Sequence, residues 1–163
     1  VGSAFWNASI DYSYVSPRLV VQGETATGSC GVVATVNAMS YVFSNRFSLV
    51  ALQRFYPYRY YSLYARSFAD GTSVQDESGV YLGGSWTPTD RWNVTAYTDV
   101  AYFAWPKFGT TGSTHSWDNL LSITFRPSGS TLLGARFRYR DKQTHQPQRG
   151  RWSATYGGRG WSW

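Results

Sequence analysis

Cysteine is nearly absent: Cys30 stands alone in 163 residues, so no intrachain disulfide framework and no cysteine-based zinc cluster can form. Charge is scarce as well. Asp, Glu, Lys and Arg make up 15% of the chain, against about 25% in an average soluble protein. No run approaches the roughly 18 apolar residues that a membrane-spanning helix needs. The chain opens on Val1-Gly2-Ser3-Ala4, without Met or a basic segment, and so shows no signal peptide. An exported protein needs one, and the expectation is a mature form or a piece of a longer chain. The two histidines, His115 and His145, are far apart and lack a carboxylate cluster, so no metal site and no cofactor are expected. Gly83-Gly84, Gly112 and Gly157-Gly158 lack the following helix and Lys-Ser/Thr of a phosphate loop. They mark strand bends or close backbone approaches instead.

Aromatic residues are abundant: 8 Trp, 13 Tyr and 9 Phe. Many aromatics, few charges and a negative mean hydropathy fit two kinds of protein. One is a membrane β-barrel, whose strands are half polar; the other is a secreted, aromatic-rich β-domain that binds carbohydrate. The net charge of +6 points to anionic partners, among them lipopolysaccharide phosphates, anionic solutes and nucleic acid.

Alternation along the chain separates the two. In residues 116–126, Trp117, Leu121, Ile123 and Phe125 share one parity, and Asp118, Ser122, Thr124 and Arg126 the other. After Pro127-Ser128-Gly129-Ser130, Leu133, Ala135, Phe137 and Tyr139 alternate with Arg136, Arg138 and Arg140. Successive side chains of a strand point to opposite faces, so this is a hairpin with one apolar and one charged face. The same reading gives strands over residues 5–15, 19–24, 31–42, 46–55, 80–87 and 91–103, and a last one from Arg151. In the first, Trp6, Ala8, Ile10, Tyr12 and Tyr14 oppose Asn7, Ser9, Asp11 and Ser13. The third sets Val32, Ala34, Val36 and Ala38 against Thr35 and Asn37. In the sixth, Trp92, Val94, Ala96 and Val100 oppose Asn93, Thr95, Tyr97 and Asp99.

Connections near residues 16, 44, 89 and 128 are tight, and those near 27, 67, 109 and 145 are longer, as in outer-membrane barrels. Outward aromatics collect near strand ends: Tyr14, Trp86, Trp92 and Phe125 by the tight turns, and Trp6, Trp117, Tyr139 and Trp152 by the long loops. Two interfacial girdles look like this, whereas a soluble barrel turns its apolar face inward. The expected fold is an all-β, antiparallel up-and-down meander of about 8–10 strands, part of a transmembrane outer-membrane β-barrel. Nine strands leave such a barrel incomplete, because single-chain bacterial barrels close with an even number. Residues 1–163 are therefore read as one β-barrel segment of a larger structure.

Residues 60–83 (YYSLYARSFADGTSVQDESGVYLG), 92–108 (WNVTAYTDVAYFAWPKF) and 136–142 (RFRYRDK) resemble the barrel portion of outer-membrane proteins of Bacteroidota-type bacteria labelled helix-hairpin-helix domain-containing proteins. The resemblance covers about the central two-thirds of the chain. It implies an outer-membrane location and a parent protein with an amino-terminal helix-hairpin-helix region. That region is not in these residues, so they support no nucleic-acid partner, and the resemblance supplies no catalytic residues.

Among candidate sites, the basic ladder Arg136, Arg138 and Arg140, with Arg126 and Arg54, stands out. In a confined lumen, guanidinium groups attract carboxylates and phosphates and form a selectivity surface. The other reading is structural, with the arginines paired to inward Asp11, Asp99 and Asp118. His115, Ser116 and Asp118 have the composition of a hydrolase trio, but Ser116 and Asp118 share one face of the strand and His115 takes the other. No nucleophile motif surrounds them, and no enzyme is expected. The aromatic stretch 56–68, with Arg59 and Arg66, is suited to stacking on sugars or bases, or to folding inward as a cap. The sequence thus points to a pore, receptor or scaffold in the bacterial outer membrane, in contact with lipid and lipopolysaccharide and open to anionic solutes or polysaccharide. The alternative is a secreted module that binds polysaccharide through exposed aromatics.

Overall fold

The computed structural model describes residues 5–61, 67–70, 74–106, 111–142 and 149–158, the last strand to its side chains only at 151–153. Nine antiparallel strands make one sheet: β1 (Asn7–Val15), β2 (Leu19–Gly28), β3 (Val33–Ser44), β4 (Phe47–Tyr56), β5 (Glu77–Trp86), β6 (Trp92–Phe103), β7 (Thr114–Ser128), β8 (Thr131–Lys142) and β9 (Arg149–Gly158). Spatial order equals chain order, so the all-β meander expected from the alternation is what forms. The sheet is open. Among the described residues β1 and β9 are its edges and no pairing joins them.

Local chemistry explains the tight end. Ser16 donates its N–H to the Leu19 carbonyl at 2.8 Å, and its hydroxyl accepts from Leu19 N–H at 3.1 Å, while Pro17 presets the turn. Neighbouring turns are stitched together by Val42 N–H to Arg18 O and Thr87 N–H to Arg46 O, both 2.8 Å, and by Arg126 N–H to Arg91 O at 2.7 Å. The pairing of β7 with β8 shifts between Phe125 and Ser128, and this irregularity admits Pro127, which cannot donate to a regular ladder.

Several strands are longer than the alternation suggests, β8 reaching Lys142 and β9 beginning at Arg149 among them. β2 continues to Gly28 through the small, polar 25–27 stretch, because each residue finds a partner on β1, down to Gly28 opposite Asn7. β5 begins at Glu77 and β7 at Thr114, since Glu77, Thr114 and Ser116 are buried under loop residues.

The two faces differ. The outer face carries Ile10, Met39, Leu82, Trp86, Trp92, Leu121 and Phe137, all exposed. Between β4 and β5 in the chain, residues 57–61, 67–70 and 74–76 lie over the inner face and pack on a small core. Ala26 and Ala34, opposite each other on β2 and β3, form a floor for buried Tyr56 and Tyr60, with Val36, Ala69 and Val74 around them. The apolar set of β3 therefore faces inward, under the loop. Thr35 and Asn37 take the outer face, where Asn37 Nδ2 donates to Gln53 Oε1 at 2.8 Å and to Thr35 Oγ1 at 3.2 Å, and Tyr12 OH donates to Asn37 Oδ1. These polar side chains bond one another across β1, β3 and β4.

Candidate functional site

Arg54 on β4 has no exposed side-chain surface, and neither has Glu77 at the start of β5. The Arg54 Nε–H donates to Glu77 Oε1, and Nη1 donates to Asp99 Oδ1 on β6 at 2.7 Å. One guanidinium thus ties three strands. Two neighbours complete its cage. Gly79 lies directly opposite in the ladder, and a Cβ there would stand 2.6 Å from Arg54 Cζ. The Phe68 ring covers the guanidinium at 5.1 Å, an attraction to the ring's negative face that strengthens away from water. The remaining nitrogen, Nη2, is buried without a hydrogen-bond partner among the described residues.

A second knot links the loop to β7 and β8. The Asp70 backbone N–H donates to both Glu77 carboxylate oxygens, at 2.8 and 3.0 Å. Its own carboxylate meets Arg140 Nη2 at 2.6 Å, Lys142 Nζ at 2.8 Å and the Ser116 hydroxyl at 2.7 Å. Burial opposes ionisation of Asp70, but hydrogen bonds from Lys142 and Ser116 and the Lys142 charge outweigh it and hold the carboxyl at about 2. Beside it, Asp118 accepts both arms of the Arg138 fork and lies 3.6 Å from Arg140 Nε. Inward Glu77, Asp99, Asp118 and Asp70 therefore match Arg54, Arg138, Arg140 and Lys142 in number.

The expected pairing of the arginines forms in part. Asp118 meets Arg138 and Arg140, and Asp99 meets Arg54, but Asp11 sits at the far edge, opposite Glu24, and meets none of them. Arg126 lies exposed beside the tight turn, eight residues along β7 from Asp118, roughly 27 Å in an extended strand. Arg136 is exposed and makes no ion pair among the described residues. His115 is on the outer face while Ser116 and Asp118 are buried on the inner one, so the three do not converge; Ser116 serves Asp70 instead. In the aromatic stretch, Tyr56 OH bonds Ser67 Oγ and Phe68 O, both at 2.9 Å, which fastens the loop over the inner face. Arg59 is exposed beside Tyr58; Arg66, His145 and residues 159–163 lie outside the described residues.

Of the rim aromatics, Trp6, Tyr14, Trp86, Trp92 and Trp117 are exposed, and Phe125 stacks on Trp92 at 4.3 Å. The Trp117 indole N–H donates to Thr98 Oγ1 at 3.0 Å. Tyr139 is half-buried, and Trp152, 79% exposed, stands opposite Phe137 in the middle of β8 rather than at a rim. Asp70, Glu77 and Lys142 were invisible to strand parity because the first two read as turn residues; Glu24 and Arg151 also enter the inner face unannounced. Comparison with protein-family models, curated proteins and solved structures found no match for this chain.

Two outcomes follow. Gly79→Ala crowds a guanidinium that cannot retreat, and is expected to cost about 1–3 kcal/mol in a thermal or denaturant melt. Gly83→Ala meets only the tip of Tyr81, 2.7 Å from the new Cβ, and should cost clearly less. The Asp70 carboxyl is depressed, so its contribution is present above its unfolded value near 3.8 and is lost as pH falls through about 2. Hydrogen exchange at the Asp70 amide should therefore accelerate between those values, and Asp70→Asn should flatten that dependence.

Proposed function

We propose that this chain is a wall segment of a bacterial outer-membrane β-barrel, serving as a scaffold or receptor, with its outer face in lipid and its inner face around the ion-paired loop. The observation that carries this reading is the exposed outer face. From Ile10 on β1 to Trp152 on β9 it presents large apolar and aromatic side chains that no element of the described chain covers. Apolar patches beyond a few hundred Å² mark interaction or membrane surfaces, and the outer polar groups of β2, β3 and β4 bond one another. Lipid also explains the asymmetry of charge. An arginine facing the bilayer midplane costs about 2–4 kcal/mol, and Arg54, Arg138 and Arg140 all turn inward to carboxylates. With those three arginines matched and the described loop residues packed on the inner face, a scaffold or receptor fits better than an open conduit.

The likeness of residues 60–83, 92–108 and 136–142 to helix-hairpin-helix-labelled outer-membrane proteins agrees with this reading and extends it to a Bacteroidota-type source. A second reading rests on Tyr58 and Trp105, which stack at 5.0 Å as an exposed pair near the loops. A secreted polysaccharide-binding module would use such a platform, and would stay monomeric in water.

Spin labels at Ala135→Cys and Arg136→Cys, with Cys30→Ser to remove the native thiol, test the proposal in reconstituted bilayers. The label at 135 should collide with oxygen dissolved in lipid, and the label at 136 with an aqueous nickel chelate. Aqueous access at both, in a protein that stays monomeric without detergent, would favour the soluble module instead.

A further inference from the structure

The inner surface of β8 and β9 holds more cations than its carboxylates neutralise. Arg138 is committed to Asp118, and Arg140 and Lys142 to Asp70. Arg136 and Arg151 are both exposed and form no ion pair among the described residues. The register sets Arg151 opposite Arg138 and Ser153 opposite Arg136. Like charges directly across a ladder destabilise it, and Asp118 answers only one member of the Arg138–Arg151 pair. Asp141, the nearest further carboxylate in sequence, belongs to the outer parity, opposite Trp117. The inner acids Asp11 and Glu24 are at the other edge of the sheet.

These side chains form a place rather than a scatter. Arg136, Arg138, Arg140, Arg151 and Ser153 line one recess of about 430 Å³. Along β8, Arg136 and Arg138 are about 7 Å apart, and Arg151 is roughly 5 Å across from Arg138. Arg140 brings a buried Nε with no hydrogen-bond partner among the described residues. Guanidinium forks match oxyanions with several oxygens, two donors to each phosphate or carboxylate. With two arginines unmatched and a hydroxyl beside them, a single carboxylate satisfies only part of the recess, whereas a phosphate with three acceptor oxygens and about two charges satisfies it.

We propose that this recess binds a phosphate-bearing anion, held by Arg136 and Arg151 with Ser153 as hydrogen-bond partner, and with Arg138 and Arg140 supplying field from their ion pairs. The site rests on inner-face charge alone and does not depend on what covers the outer face.

Inorganic diphosphate titrated calorimetrically into the full chain, purified in detergent at low salt, should bind saturably and more weakly as salt rises. The double change Arg136→Gln and Arg151→Gln should weaken binding about tenfold or more without lowering the melting midpoint, because neither arginine is ion-paired among the described residues and Arg151 faces the like charge of Arg138. Arg91→Gln, on an exposed tight turn, should leave it unchanged. Competition separates two sources of the group: displacement by soluble phosphate esters identifies a solute, and displacement only by lipopolysaccharide micelles a lipid headgroup, either of which upholds the site. Absence of saturable binding, or equal binding by the double variant, would overturn it. So would binding that emerges only after Asp11→Asn and Glu24→Gln, since the acidic edge would then already be neutralising these arginines.

Discussion

A guanidinium with no exposed side-chain surface, clasped between Glu77 and Asp99, is the constraint on which the inner face depends. Removing two charges from water costs several kcal/mol per ion, which is recovered only with close geometry and further hydrogen bonds. Arg54 meets that condition through strand register. Gly79 lets the guanidinium lie flat, and Phe68 closes over it. Glu77 then uses both oxygens on the Asp70 amide, which fixes where the Asp70 carboxylate points. From there Arg140, Lys142 and Ser116 are drawn in. A loop that is turn-rich in composition is thus held across β4 to β8 by one connected set of charges.

The same set explains why the two faces are not mirror images. Cations gathered inward leave much of the outer face to aromatic and aliphatic side chains, with polar groups in the self-bonded cluster around Asn37 and Gln53 and, toward the loops, at Thr98, His115, Asn119 and Asp141. At the two edges the balance fails in opposite senses. Asp11 and Glu24 stand opposite each other at β1–β2, and Arg138 and Arg151 at β8–β9. The inward charges of the middle of the sheet are paired, and the unmatched ones lie toward its two ends.

Much of the strand order was legible. In β1, β7 and β8, polar and apolar side chains alternate, and parity alone put Asp118 on the face of Arg136, Arg138 and Arg140 and kept His115 off the face of Ser116. The reading failed where the inner face is itself apolar. Val32 and Val36 look like outward residues, yet they pack with Ala26, Ala34 and Tyr56 beneath the loop. Site partners were hidden for a related reason. Asp70 and Glu77 lie in a stretch whose Gly, Ser and Asp content signals turns, and nothing local reveals a partner such as Lys142, 72 residues away. Gly79 carried a turn-like signal for what is a packing requirement of Arg54.

The central claim is that the outer face lies in lipid and the inner face does not. Every tryptophan whose side chain is described is exposed, and on the strands Trp86, Trp92, Trp117 and Trp152 share the outer parity. Quenching of intrinsic tryptophan fluorescence by lipids brominated along their acyl chains therefore tests the claim with the unmodified protein. Strong quenching in brominated bilayers, with little by aqueous iodide, is the predicted result. Strong iodide quenching with no effect of the brominated lipid would contradict it.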